Sequence, residues 1–369
     1  MTVKPVRHRI RFFVLLAGIL SVFVIGRSGP AAIASPVGAP TMAATPSTYW
    51  PTQGWRTSSP EAQGMDSQRL SQGLVFVQQQ ELSLYSLLVI RHGYLVSETY
   101  FRSETVDSRR EIYSCTKSFV STLVGIAIDK GYIDGVNHRV MDFFPGLTPE
   151  NPDARKDGMT LDDLLTMRSG LDWDESDSGI MGLYRSADWV KAVLDNPLKE
   201  QPGSVFRYCS GCSHVLSAIV QNVTGANTRE FAEKNLFGPL GISGAIWDSG
   251  SAGVPIGGWG LHITPRDMAK LGYLYLRNGM WDGQQIVSAD WVKIATQTHA
   301  QVPDDPLDYG YQWWTYPALA AYSALGRYGQ TILVIPRLDL VVVTTASLPN
   351  HDPIFELVRD YIVPAVQKP

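Results

Sequence analysis

Ser86-Leu87-Leu88-Val89-Ile90-Arg91-His92-Gly93-Tyr94-Leu95-Val96-Ser97-Glu98-Thr99-Tyr100 holds two β-rich runs on either side of a break that contains a glycine. This pattern reads as two strands joined by a tight turn. A second pair lies near the other end: Thr331 to Ile335, a turn over Pro336 to Asp339, then Leu340 to Thr345. After it Phe355, Val358, Tyr361 and Ile362 recur at helical spacing. Hairpins join antiparallel neighbours, so the two outer parts of the chain predict an antiparallel sheet with helices packed on it.

Between about Gly131 and Gly257 strand signals thin out and helix signals take over. Thr160-Leu161-Asp162-Asp163 resembles a capping box ahead of Leu164, Leu165 and Met167, with a stop near Ser169-Gly170. Phe206 to Thr224 carries Val215, Leu216, Ile219 and Val220 and ends at Gly225. Thr264-Pro265-Arg266-Asp267 then opens a further helix, with Thr as N-cap and Pro at the first position. The expected architecture is α/β in the α+β sense. A sheet-bearing domain at 64–130 and 257–369 carries an inserted, mostly helical domain at 131–256.

The first 63 residues belong to neither part. Lys4, Arg7, Arg9 and Arg11 precede an apolar run from Phe12 to Ile25, and Ala32-Ile33-Ala34 offers small residues where a signal peptidase reads. Residues 1–34 are therefore expected to be an export signal, which places the protein in the periplasm or outside the cell. If uncleaved, the segment would tether the protein to the membrane. Residues 35–63, rich in Pro, Ala, Ser and Thr, read as a linker. Loss of residues 1–34 removes five cations and no acid, leaving 26 cations against 35 acids and a net charge of -9. Nothing in this balance suggests a nucleic-acid partner. Three cysteines in 369 residues exclude a disulfide scaffold. Their odd number leaves at least one thiol without an internal partner. The Cys209-x-x-Cys212 spacing allows a bridge or two small buried residues, and the second reading is preferred.

Ser114-Cys115-Thr116-Lys117 is the one S-x-x-K in the chain and opens a run in which Phe119, Leu123 and Ile126 keep helical spacing. Positions i and i+3 share a helix face, so the hydroxyl and the amine can meet. At a helix N-terminus, free N–H groups and the positive end of the dipole favour an oxyanion. Burial disfavours the ammonium form of Lys117, and a neutral amine can take the serine proton. The bland alternative is a serine N-cap followed by an exposed lysine.

Two further stretches gain meaning beside this one. Tyr208, in Phe206-Arg207-Tyr208-Cys209-Ser210, has a phenol that can act as a base only if a cation such as Lys117 stabilises its phenolate. Alone it reads as a core aromatic. Gly326-Arg327-Tyr328-Gly329-Gln330 runs into the strand Thr331 to Val334, and its glycines permit close approach of a ligand to backbone N–H groups. Alone it reads as a glycine turn.

In this order and at these separations, the three stretches resemble the active-site elements of the serine β-lactamase and penicillin-binding protein superfamily. The class C branch fits best, with its relatives among family VIII-type esterases, D-alanyl-D-alanine carboxypeptidases and 6-aminohexanoate-dimer hydrolases. Leu164 to Leu171, Trp259 to Ala269 and Tyr309 to Trp314 resemble the same branch. The resemblance implies a β-lactamase/transpeptidase-like fold with a cleft between sheet and helical parts. It makes Ser114 the nucleophile, Lys117 its proton-shuttling partner and Tyr208 the second base. Ser210 stands where the branch often has Asn and would orient substrate or Lys117. The backbone N–H of Ser114 would be one oxyanion donor, and the second maps to the Gly326 to Gln330 segment, with Arg327 preferred and Gly329 the other candidate. No cofactor is implied.

One departure bears on the substrate. The Lys-Thr-Gly of class C lactamases is missing, and a planar guanidinium at Arg327 is not interchangeable with an ammonium. The Gly-x-x-Gly-Gln variant is closer to the esterase and amide-hydrolase relatives, so the expected substrate is a small ester or amide, with a lactam less well served. The competing readings are a D-alanyl-D-alanine carboxypeptidase and a non-catalytic sensor or scaffold domain. A Gly-x-Ser-x-Gly elbow and a His-Glu-x-x-His helix are both absent from the sequence, and its seven His never fall at ligand spacing, so no metal is expected. His214 and His262 read as satisfied structural groups. Trp259, Trp313 and Trp314 are candidates for an aromatic cleft wall.

Overall fold

The computed structural model describes residues 49–367. The expected signal segment 1–34 and the first part of the expected linker, 35–48, lie outside the described residues. In chain order the strands are β1 (Leu84–Arg91), β2 (Tyr94–Tyr100), β3 (Arg110–Glu111), β4 (Ile246–Trp247), β5 (Leu261–Ile263), β6 (Met280–Trp281), β7 (Gln284–Gln285), β8 (Ala300–Gln301), β9 (Asp308–Tyr309), β10 (Trp314–Tyr316), β11 (Ala321–Gly326), β12 (Gln330–Ile335) and β13 (Leu340–Ala346). Eight of them form one sheet in the order β2-β1-β13-β12-β11-β10-β9-β8, and every pairing within it is antiparallel.

Both predicted hairpins are present. His92 (φ 51°) and Gly93 (φ 80°) turn β1 into β2. Two central residues with positive φ give the turn whose twist matches the strands it joins. The strands β1, β12 and β13 read as unbroken apolar runs because both faces of the sheet are covered. Leu88, Ile90, Ile332, Val334, Val341 and Val343 face one core. Leu87, Val89, Leu333, Ile335, Leu340 and Val342 face the other, beneath α1 (Ser67–Gln79) and the helix that starts at Asp352.

The first core continues away from the sheet. It takes in α2 (Thr116–Asp129), α3 (Leu161–Leu165), α5 (Trp189–Leu194) and α6 (Ser210–Thr224), while α4 (Asp177–Arg185) lies at the surface and buries only Leu183. Residues 131–256 contribute no strand to the large sheet. Thr160 and Asp163 form the expected capping box, and Thr264 caps the helix Pro265–Leu276 with Pro at its start. Residues Thr116 to Ala127 are all buried, so α2 is surrounded by protein.

Three expectations need correction. The linker reading fails over 49–63: Trp55 is buried, its indole donates to the Arg266 carbonyl at 3.1 Å, and Trp50 packs 5.5 Å from Trp281. Isolated tryptophans bury large areas without any helix or strand period, so periodicity could not reveal this docking. The helix expected from Phe206 begins at Ser210, because Cys209 is extended (φ -140°, ψ 93°) and the Arg207 N–H bonds the Met167 carbonyl at 2.8 Å. Cys209 and Cys212 are joined in a disulfide, where two free residues were preferred; Cys115 is the free, buried thiol.

Candidate active site

Ser114 sits in a 3-10 turn, Tyr113–Cys115, that leads directly into α2. The residue before it, Tyr113, holds a left-handed φ of 48°. A non-glycine residue pays conformational strain there, and such strain concentrates at functional sites. Lys117 follows on the first turn of α2 and is 1% exposed. Its Nζ lies 2.9 Å from Ser114 Oγ, 2.9 Å from Ser210 Oγ and 2.8 Å from the Gly258 carbonyl oxygen. Burial lowers its pKa to about 8, partly opposed by the negative charge of Glu175. Against the ordinary value of 10.5, that shift makes the neutral amine roughly 300-fold more abundant at neutral pH.

The other wall is built by the start of α6. Ser210 is the first residue of that helix and is buried, and the disulfide spans the turn that holds it. Tyr208 presents its ring 4.7 Å from Lys117 Nζ and stacks on Trp314 at 6.0 Å. Its phenol is pushed well above the ordinary range, first by burial and then by the Glu175 charge, with Ser114 pulling the other way. In the resting site Tyr208 is therefore a phenol and a donor, not the phenolate that a base would require.

A glycine pair brings the third acceptor to Lys117. A Cβ at Gly257 would stand 1.9 Å from the Ser213 carbonyl oxygen, and one at Gly258 would stand 2.8 Å from that of Ser210. Only glycines let this loop lie on the first turns of α6, and that contact delivers the Gly258 carbonyl. The turn 326–330 closes the site from the sheet side. A Cβ on Gly326 would meet the Ile112 carbonyl at 2.2 Å, and the Gln330 carbonyl accepts the Cys115 thiol at 3.4 Å.

The structure thus brings Ser114, Lys117, Tyr208 and Ser210 together and sets the 326–330 turn beside them. Three expected wall or site residues make other contacts, Arg327 through its guanidinium rather than through the backbone N–H expected at the oxyanion. The Arg327 guanidinium reaches out to Asp177 of α4 at 3.0 Å, both side chains being largely exposed. A Cβ at Gly329 would meet Ile354 at 3.0 Å and Ala346 at 3.1 Å, and its carbonyl accepts from Thr344 at 2.8 Å, a structural use. Trp313 is fully buried against Tyr275 at 4.5 Å and is core rather than cleft, whereas Trp259 donates its indole N–H to the Tyr184 hydroxyl at 3.0 Å. His262 pairs with Asp248 at 3.1 Å, but His214 is buried with neither ring nitrogen bonded among the described residues. Burial lowers the His214 pKa to about 4, so it is neutral and not the satisfied group that was expected.

Sequence reasoning missed Glu175 and Gly258. The Glu175 carboxylate accepts from the Trp173 indole at 2.6 Å, from the Ser210 N–H at 2.8 Å and from the Ser210 hydroxyl. Nothing local marks either residue, since Glu175 is one of four acids from Asp172 to Asp177 and Gly258 is one glycine of a pair, and neither carries a spacing signal.

The chain matches the Beta-lactamase family over residues 61–367 and belongs to it. It is 28% identical over 292 residues to the 6-aminohexanoate-dimer hydrolase of Paenarthrobacter ureafaciens, covering 72% of this chain and 73% of that protein. Its fold is similar to that of a family VIII carboxylesterase, with a TM-score of 0.68 at 15% identity over 84% of this chain and 98% of the other. The octameric penicillin-binding protein homologue from Pyrococcus abyssi gives 0.65 at 19% identity, over 82% and 78%. The α/β fold with its antiparallel sheet is the one expected, and the protein is a serine hydrolase of this family acting on amide or ester bonds.

Proposed function

We propose that the protein hydrolyses a small ester or linear amide through an acyl-enzyme on Ser114, in the manner suggested by its likeness to the 6-aminohexanoate-dimer hydrolase. The observation that carries this reading is the buried Lys117 amine, 2.9 Å from Ser114 Oγ and with its pKa lowered to about 8. Neutral Lys117 accepts the Ser114 proton as Oγ bonds to the substrate carbonyl carbon. The oxyanion that forms is met by the N–H of Ser114 and that of Arg327. Collapse expels the amine or alkoxide, which takes the Tyr208 proton, and the Lys117 ammonium then restores the phenol. In the second half Lys117 takes a proton from water as the water attacks the acyl carbon. It returns that proton to Ser114 Oγ when the acid leaves.

The lack of Lys-Thr-Gly and the engagement of Arg327 by Asp177 favour esters and linear amides over lactams. The intact Ser114, Lys117 and Ser210 hydrogen bonds argue against a non-catalytic sensor. The test is a panel of short-chain nitrophenyl esters, linear 6-aminohexanoate oligomers, D-Ala-D-Ala peptides and a chromogenic cephalosporin, together with active-site labelling. Turnover of the first two with label on Ser114 is expected; label on another serine removes the mechanism. Export by residues 1–34 belongs to the same proposal, and the Cys209–Cys212 disulfide supports it, since such bonds persist in oxidising compartments. N-terminal sequencing of protein recovered outside the cytoplasm would check it.

A further inference from the structure

Four polar groups form a continuous chain from the nucleophile to the lip of the cleft: Ser114 Oγ, Lys117 Nζ, Ser210 Oγ and the Glu175 carboxylate. The direction of its hydrogen bonds can be counted. An ionised carboxylate only accepts, so the single proton of the Ser210 hydroxyl is committed to Glu175. Ser210 Oγ then meets Lys117 as an acceptor. The Gly258 carbonyl, 2.8 Å from Nζ, is an acceptor by nature.

A neutral lysine has two N–H bonds and one lone pair. With both N–H bonds directed to Ser210 and Gly258, the lone pair is left facing Ser114, the one remaining neighbour at hydrogen-bond distance. If Ser210 instead donated to Lys117, that lone pair would be occupied and the serine proton would have no place to go. We propose that Glu175 is a positioning residue for catalysis: by fixing the polarity of the Ser210 hydroxyl, it aims the basic electron pair of Lys117 at Ser114.

The surroundings suit this role. Glu175 Oε2 is held by the Trp173 indole and the Ser210 N–H, so the carboxylate is fixed at three points. The titratable groups around Lys117 are Cys115 on its own turn, and Tyr208 and Glu175 from the opposite wall, with Tyr309 behind Tyr208. Cys115 is a thiol, since burial holds its pKa far above neutrality, and Tyr208 is a phenol. Glu175 is thus the anion that sets both the geometry and the local field of the base. Its charge favours the ammonium form, so its removal makes Lys117 easier to deprotonate and at the same time misdirects it.

The inference rests on Ser114 being the acylated residue, and the experiment separates the two. The pH dependence of kcat/KM for a nitrophenyl ester is measured on the full chain and on Glu175→Gln, Ser210→Ala, the double variant and Ser114→Ala. Glu175→Gln is expected to lower the high-pH plateau by at least tenfold while moving the midpoint of the acid limb to lower pH, a displacement that a merely structural role would not produce. The double variant should be no slower than Ser210→Ala, because Glu175 acts through Ser210, and Glu175→Asp should recover part of the plateau. A plateau within twofold of the parent, or an unmoved midpoint, overturns the proposal. If Glu175→Gln does not fold, Ser210→Ala decides: parent-like rates sink it, and a tenfold loss sustains it. Activity retained in Ser114→Ala would instead overturn the reading of the site itself.

Discussion

The Gly258 carbonyl oxygen lies 2.8 Å from Lys117 Nζ across 141 positions of sequence. The base of the site is thereby tied to a loop at a position that has no side chain to offer. Three acceptors surround the amine, and an ammonium can donate to all of them at once. Loss of one proton frees the lone pair for catalysis without leaving a buried donor unpaired.

Replacing Gly257 by alanine should separate the loop from α6, since its new methyl would meet the Ser213 carbonyl at 1.9 Å. A destabilisation of about 1–3 kcal/mol is expected from such an overpacked site. Activity should fall further than stability explains, because Gly258 moves with its neighbour. Calorimetry and kcat/KM at a temperature where the variant is fully folded check the two parts.

The rate should follow the neutral fraction of Lys117. Burial has lowered its pKa, so the amine gains basic character as pH rises, and kcat/KM should climb with an acid-limb midpoint near 8 and level off above it. Lys117→Arg keeps a cation but cannot lose its proton in this range. A loss of about 10²- to 10⁴-fold, with the acid limb gone, is expected from stopped-flow acylation.

Tyr208 is assigned the proton for the leaving group, and that assignment is sensitive to the substrate. A nitrophenolate leaves well as an anion, while an alkyl amine cannot. Tyr208→Phe should therefore depress turnover of a linear amide at least about tenfold more than that of a nitrophenyl ester. Equal losses on both substrates would remove the acid role.

The disulfide closes a ring that begins beside Tyr208 and encloses Ser210. Its loss in a Cys209→Ser/Cys212→Ser variant should cost about 2 kcal/mol of stability by the loop-entropy estimate for so short a ring. The site should suffer more than the fold: Ser210 and Tyr208 lose the clamp on the turn that places them, so kcat should drop while the far-UV spectrum is unchanged. Denaturant melts and single-turnover kinetics measure these effects separately.

Local signals were readable and long-range ones were not. The His92-Gly93 turn, the Thr160 capping box and the Thr264-Pro265 helix start are decided within a few residues, and each stands where it was expected. Ser114 and Lys117 were legible for the same reason, being one turn apart on α2. Glu175 was not, because the groups that give it meaning include Ser210, 35 positions away, and one acid among 35 has no mark of its own. Trp313 and Trp314 are adjacent and alike in sequence, yet one is sealed in the core and the other stacks on Tyr208. The alternation of strand β10 and its neighbours decides that, and no short motif announces it.

One strand in from the β2 edge of the large sheet β1 is bonded to β13, with Leu88 opposite Val343 and Ile90 opposite Val341. A ribosome delivers β1, and soon afterwards the nucleophile, some 250 residues before the strand that completes them. At ~5–20 residues per second this interval is on the order of ten to fifty seconds. Throughout it the newborn hairpin exposes an apolar edge that invites pairing with other chains. The strand order itself therefore delays closure of the sheet, and active enzyme arises only once Leu340 to Ala346 have been made.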